Sequence, residues 1–98
     1  MENNYEEAIN QYTRAIEISK ANPNHIYYAN RANAYLKSQL LDECITDCDE
    51  ALKIEPLFIK AYLRKALALF EKNLYVDASQ VVKIGLKLQP DCDPLKEL

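Results

Sequence analysis

From Tyr28 to Pro56 the chain reads YANRANAYLKSQLLDECITDCDEALKIEP, and from Tyr62 to Pro90 it reads YLRKALALFEKNLYVDASQVVKIGLKLQP. Shifted by 34 residues, the two stretches fall into register. Tyr28 meets Tyr62, Ala32 meets Ala66, Leu41 meets Tyr75, Ala51 meets Gly85, Leu52 meets Leu86, Ile54 meets Leu88 and Pro56 meets Pro90. A fixed period of this length marks a repeat architecture in which each unit is one supersecondary element. A partial third copy lies upstream at an offset of 36, with Tyr5 against Leu41, Ala8 against Cys44, Ile9 against Ile45 and Ala15 against Ala51. The two added residues fall in the Asn22-Pro23-Asn24 segment, whose turn-forming side chains tolerate a change of length.

Within each unit the apolar spacing is that of a helix. Tyr28, Ala32, Tyr35 and Leu36 share one stripe, as do Tyr62, Ala66, Leu69 and Phe70. The second half of each unit repeats the pattern with Cys44, Ile45, Cys48, Ala51 and Leu52, then with Ala78, Val81, Val82, Gly85 and Leu86. Breaks fall at Ser38-Gln39, at Asn73, at Glu55-Pro56 and at Gln89-Pro90, where proline cannot continue a helix and disfavours helical geometry in the residue before it. Each unit therefore reads as two antiparallel helices joined by a short turn. The spacing predicts helices over 3–20, 25–38, 42–54, 58–72 and 75–88. Asp93-Pro94 has the form of an N-cap followed by proline in the first helical position, so 93–98 reads as the start of a capping helix. The expected domain is single: a half repeat at 1–24, full repeats at 25–58 and 59–92, and the cap.

Composition excludes several function classes. A net charge of −3 on 98 residues gives no electrostatic basis for binding nucleic acid. No apolar run follows Met1-Glu2-Asn3-Asn4 and none is long enough to span a bilayer, so neither a signal peptide nor a membrane partner is expected. Cys44, Cys48 and Cys92 make an odd count, which argues against a disulfide framework. Cys44 and Cys48 are one helical turn apart but have no second pair, and His25 is distant in sequence. Buried free thiols are expected, with no metal or cofactor, in a reducing compartment: cytoplasm, or alternatively nucleus. One histidine, no glycine-rich phosphate loop and no convergent nucleophile and base argue against local catalysis. Charge is also unevenly spread. Asp42 to Glu55 is acidic, whereas Lys60 to Lys72 is basic, which either marks a partner surface or lets two helices pair with each other.

These residues resemble the tetratricopeptide repeat family, whose pattern is aromatic-x2-L-G-x2-Y, then A-x3-F, then P. The chain gives Tyr28-x2-Arg31-Ala32-x2-Tyr35, Cys44-x3-Cys48 and Pro56, then Tyr62-x2-Lys65-Ala66-x2-Leu69, Ala78-x3-Val82 and Pro90. The upstream half copy gives Ala8-x3-Tyr12. The resemblance covers almost the whole chain and implies an all-α fold, a right-handed superhelix of antiparallel helical hairpins. Small residues such as Ala8, Ala32, Ala51, Ala66 and Ala78 let helices approach, Tyr28 and Tyr62 fill the space beside them, and stacked neighbours supply core that one hairpin lacks. The upstream copy contains only the second helix of its unit. Its stripe of Ala8, Ile9, Tyr12 and Ile16 is thus expected to be exposed, with self-association through it as a consequence.

The family resemblance places the first helix of each unit on the concave face. The groove-facing residues are then Ile26, Ala29, Asn30, Asn33 and Lys37, followed by Lys60, Leu63, Arg64 and Leu67. Lys60 and Arg64, four apart, share one helix face, and Asn30 holds in its repeat the place that Arg64 holds in the next. The strings Tyr28-Ala29-Asn30-Arg31-Ala32 and Lys60-Ala61-Tyr62-Leu63-Arg64-Lys65 are similar to the carboxylate-clamp subgroup, co-chaperones that bind acidic heat-shock chaperone tails ending Glu-Glu-Val-Asp. By that resemblance Asn30 hydrogen-bonds the terminal carboxylates, and Lys60 and Arg64 supply charge. Asn33, Leu63 and Leu67 complete the peptide-binding set. The subgroup's other two clamp residues belong to a helix preceding those of this chain. The rival readings are a general scaffold for an internal peptide or folded partner, and a docking domain of a larger enzyme.

Overall fold

The computed structural model describes residues 4–89, which form five helices: α1 (Tyr5–Ile18), α2 (His25–Lys37), α3 (Leu41–Ile54), α4 (Ile59–Glu71) and α5 (Tyr75–Leu88). No strand occurs among the described residues. Each helix packs on the next, and α2 also touches α4 directly. That additional contact makes the first helices of the two full repeats neighbours in one layer.

The turn within each repeat is built the same way twice. Gln39 and Asn73, 34 residues apart, both have φ of 65°. In the first turn the Leu40 N–H donates to the Tyr35 carbonyl at 2.9 Å and the Gln39 N–H to the Leu36 carbonyl at 3.1 Å. In the second, the Leu74 N–H donates to Leu69 and the Asn73 N–H to Phe70, both at 2.9 Å. These paired bonds satisfy the last carbonyls of α2 and α4 through a left-handed residue, and they reverse the chain into the next helix. Neither residue is the glycine that such a position favours, so the backbone is strained there. Between repeats, Pro56 ends the first unit. The Tyr62 hydroxyl, on the first turns of α4, donates to the Pro56 carbonyl at 2.7 Å and ties the connection down.

The core is made of small side chains enclosed by large ones. Ala29, Ala32, Cys44, Cys48, Ala51, Ala61 and Ala68 are sealed from solvent, with Tyr28, Tyr35, Leu36, Leu41, Ile45, Leu52 and Phe58 packed around them. A second cluster of Ala66, Leu69, Ala78 and Val81 continues it, flanked by Tyr62 and Val82. Small residues at the contact let helix axes approach closely, and filling any one of those sites would force the helices apart at a cost of about 1–3 kcal/mol. Cys44 and Cys48 are free and buried. The Cys48 thiol is pushed up from its ordinary value by the hydrogen bond shared with Cys44 and by burial, so it stays protonated and behaves as an apolar group.

Two expectations change. Ala29 does not face the groove: it is 1% exposed, because α2 and α4 meet there and only a small side chain fits between them. On α1, Ala8, Ile9, Tyr12 and Ile16 are half-buried rather than exposed, because α2 covers one flank of the stripe. The apolar residue left open on α1 is Ile18, 86% exposed at its last turn. The expected cap at 93–98 lies outside the described residues. No helix among the described residues is long and apolar enough to cross a membrane.

Candidate binding groove

The residues singled out for binding lie on α2 and α4. Asn30 and Asn33 are half-buried on successive turns of α2, and their side-chain amides hydrogen-bond to nothing among the described residues. Lys60 is exposed on the first turn of α4, while Leu63, Arg64 and Leu67 are half-buried beyond it. Arg64 crosses between the two helices. Its Nη1 donates to the Ala29 carbonyl at 2.7 Å, which holds the guanidinium against α2 at the residue preceding Asn30. The Cys44 thiol donates in turn to the Arg64 carbonyl at 3.9 Å, so the backbone carrying Arg64 rests on α3.

Electrostatics separate two kinds of cation in the basic run. Lys65 pairs with Asp49 of α3 at 2.6 Å, and Lys72 pairs with Asp42 at the start of α3. The acidic and basic helices therefore do pair with each other, through these two lysines. Lys60 and Arg64 have no carboxylate within salt-bridge distance among the described residues. Burial pushes the Arg64 guanidinium down from its ordinary value, with Cys48, Cys44 and Tyr12 pulling the other way. A desolvated cation with one neutral protein acceptor gains more from an arriving anion than a hydrated one does.

Leu67 also lines a hollow of about 400 Å³ between the last turns of α2 and α4, with Leu36, Lys37, Gln39, Phe70 and Glu71 as its other walls. Leu36 and Phe70 read as core stripe in the sequence, and only the closeness of α2 to α4 shows that they also border an open space.

The strongest polar feature of the interior was not legible as such in the sequence. Arg31 binds Asp47 of α3 with a two-point fork, Nε to Oδ2 at 2.7 Å and Nη2 to Oδ1 at 2.8 Å. Its third nitrogen donates to the Thr13 hydroxyl of α1 at 3.1 Å, and its charge lies over the rings of Tyr28 and Tyr35. The bond to Asp47 raises the Arg31 pKa against the opposing effect of burial. One repeat on, Lys65 stands in the place of Arg31 and Asp49 in the place of Thr13, so each first helix reaches back to the preceding unit by the same route.

A profile for the tetratricopeptide repeat matches residues 2–22 and 26–56. Over 93 residues the chain is 38% identical to sperm-associated antigen 1 of Rattus norvegicus, which covers 95% of this chain and 10% of that protein. Over 63 residues it is 46% identical to the heat shock protein sti1 homolog of Schizosaccharomyces pombe, with coverages of 64% and 10%. Among solved structures, the second domain of this type in the human RPAP3 protein, in complex with the HSP70 peptide SGPTIEEVD, matches with a TM-score of 0.88 at 34% identity. That match covers 95% of this chain and 76% of that one. The chain spans about a tenth of the length of both curated relatives.

Proposed function

Because this chain belongs to the tetratricopeptide repeat family, we propose that it is a non-catalytic docking module that binds the acidic C-terminal tail of a heat-shock chaperone in the α2–α4 groove. The observation that carries this reading is the division of the basic run: Lys65 and Lys72 are neutralised by α3, while Lys60 and Arg64 are left uncompensated beside two unengaged amides. The similarity to a domain bound to a peptide ending Glu-Glu-Val-Asp supports the choice of ligand. Asn30 donates to the terminal carboxylate, Lys60 and Arg64 supply charge, and Asn33 lies one turn along for the peptide backbone. Leu63 and Leu67 pack against apolar side chains of the tail, and the hollow beside Leu67 admits one of them. Buried free thiols at Cys44 and Cys48 fit a cytoplasmic setting.

Each charge-assisted hydrogen bond contributes roughly 1.5–3 kcal/mol. Two or three of them with apolar contact give affinity in the micromolar range, about −8 kcal/mol. Titration calorimetry with a Glu-Glu-Val-Asp-terminated peptide tests the assignment. Lys60→Glu should weaken binding by about tenfold or more, the value of one such contact, at unchanged helix content. Undiminished affinity in that variant would rule the clamp out and favour a scaffold for an internal peptide.

A further inference from the structure

The middle of α3 carries a dithiol. Cys44 and Cys48 lie one helical turn apart on it, and both are 0% exposed. They hydrogen-bond to each other and share one cluster with Ala29, Ala32, Ala51, Ala61 and Ala68, drawn from α2, α3 and α4. Asp47 lies between them in sequence and holds Arg31 by its two-point fork. The turn from Cys44 to Cys48 is therefore where three helices are joined, by apolar contact and by the buried ion pair.

That turn accommodates two thiols but not a bond between them. Residues four apart on a helix have Cβ atoms about 5–6 Å apart, whereas a disulfide draws them to about 3.5–4.5 Å and stores strain when the geometry departs from that. Closing the bond pulls the turn out of helical form, and Asp47 moves with it, away from Arg31. The neighbouring helices leave no slack to absorb the shift, because they meet the turn through sealed alanines. In the unfolded chain the opposite holds. Both thiols are open to solvent and close a short loop at small entropic cost, whereas Cys92 closes a much longer one with either.

We propose that the Cys44–Cys48 dithiol is a redox gate on folding: reduced, it packs inside the module; oxidised in the unfolded chain, it keeps α3 from re-forming until it is reduced again. The oxidant is a peroxide. One thiolate takes an oxygen from hydrogen peroxide, giving a sulfenic acid and hydroxide, and the hydroxide takes up the proton that the thiol released. The second thiol then attacks the sulfenic sulfur, water leaves, and the disulfide forms. The two sulfurs lose two electrons, which the peroxide gains. Folding shields the dithiol, so oxidation draws on unfolded molecules and withholds each one from the native pool. There the disulfide is open to exchange, and a dithiol reductant reverses it through a mixed disulfide. The α2–α4 groove is lost with α3 whatever ligand it takes, so this inference stands apart from the peptide assignment.

The test uses the full 98-residue chain carrying Cys92→Ser. It is unfolded in urea and treated with stoichiometric hydrogen peroxide, and the monomer that has lost two hydrogens by intact mass is returned to buffer. Its far-UV circular dichroism should lack roughly half or more of the reduced chain's helical signal, since such strain is a large share of a small domain's stability. Dithiothreitol should restore the signal in full. The same peroxide on the folded chain should consume thiols no faster than global unfolding exposes them. A native helical signal with an unchanged urea midpoint in the disulfide form would overturn the proposal. So would a loss that dithiothreitol fails to reverse, which marks higher oxidation of a thiol, or a failure of the unfolded chain to form the intramolecular disulfide.

Discussion

Removing the Asp47 carboxylate should be among the most damaging single changes available to this fold. Asp47 and Arg31 have side chains only 4% and 17% exposed, and the fork between them joins α2 to α3 while the remaining nitrogen reaches α1. Asp47→Ala strands a guanidinium in an interior that water barely enters, and breaking one side of a buried pair costs about 3–5 kcal/mol. Arg31 keeps Thr13 and two aromatic faces, which places the loss near the lower end, at about 3 kcal/mol. For a domain of this size that lowers Tm by roughly 12–24 °C. Urea unfolding followed by far-UV circular dichroism measures it. The double variant Arg31→Met/Asp47→Leu should recover most of the loss, since a buried pair exchanged for apolar side chains is often nearly neutral. A cost for Asp47→Ala below about 1 kcal/mol, the worth of a surface pair, would refute the reasoning. So would a double variant no more stable than the single one.

Further predictions concern the turns, the thiols and the helix contacts. Gln39→Gly should stabilise the chain by about 0.5–1 kcal/mol by relieving the positive φ, with Asn73→Gly giving less because asparagine tolerates that region better; chemical denaturation of the two variants reads the difference. In a Cys92→Ser background, Cys44 and Cys48 should react with a thiol reagent only at the rate of global unfolding, and fast labelling in the native state would contradict their burial. Ala32→Leu should destabilise by about 1–3 kcal/mol through overpacking, and a neutral result in the same unfolding assay would mean that α2 does not pack as closely as described.

Most of the fold was legible because the repeat states its own geometry. The 34-residue register, the breaks at Ser38-Gln39, Asn73 and Pro56, and the 3.6-residue stripes place α2 to α5 within a residue of where they lie, and α1 within two. Ala29 went wrong because position on a helical wheel does not say how closely two parallel neighbours approach; the α2–α4 contact turns a residue off the main stripe into core. The α1 stripe was misjudged for a related reason, since a single neighbouring helix half-covers what a count of missing helices leaves bare. Arg31 and Asp47 were each visible as charges, but no local pattern reveals that residues sixteen apart form a buried fork. The basic run showed the opposite difficulty: four cations look alike in sequence, and only the packing of α3 on α4 separates Lys65 and Lys72, which are paired, from Lys60 and Arg64, which are not.

The central claim is that the α2–α4 groove grips the end of a peptide chain, not merely an acidic segment. The direct measurement is the dissociation constant of one Glu-Glu-Val-Asp-terminated peptide with its α-carboxylate free and with it amidated. Amidation should weaken binding by about tenfold or more, 1.4 kcal/mol. Equal affinity for the two peptides would contradict the account.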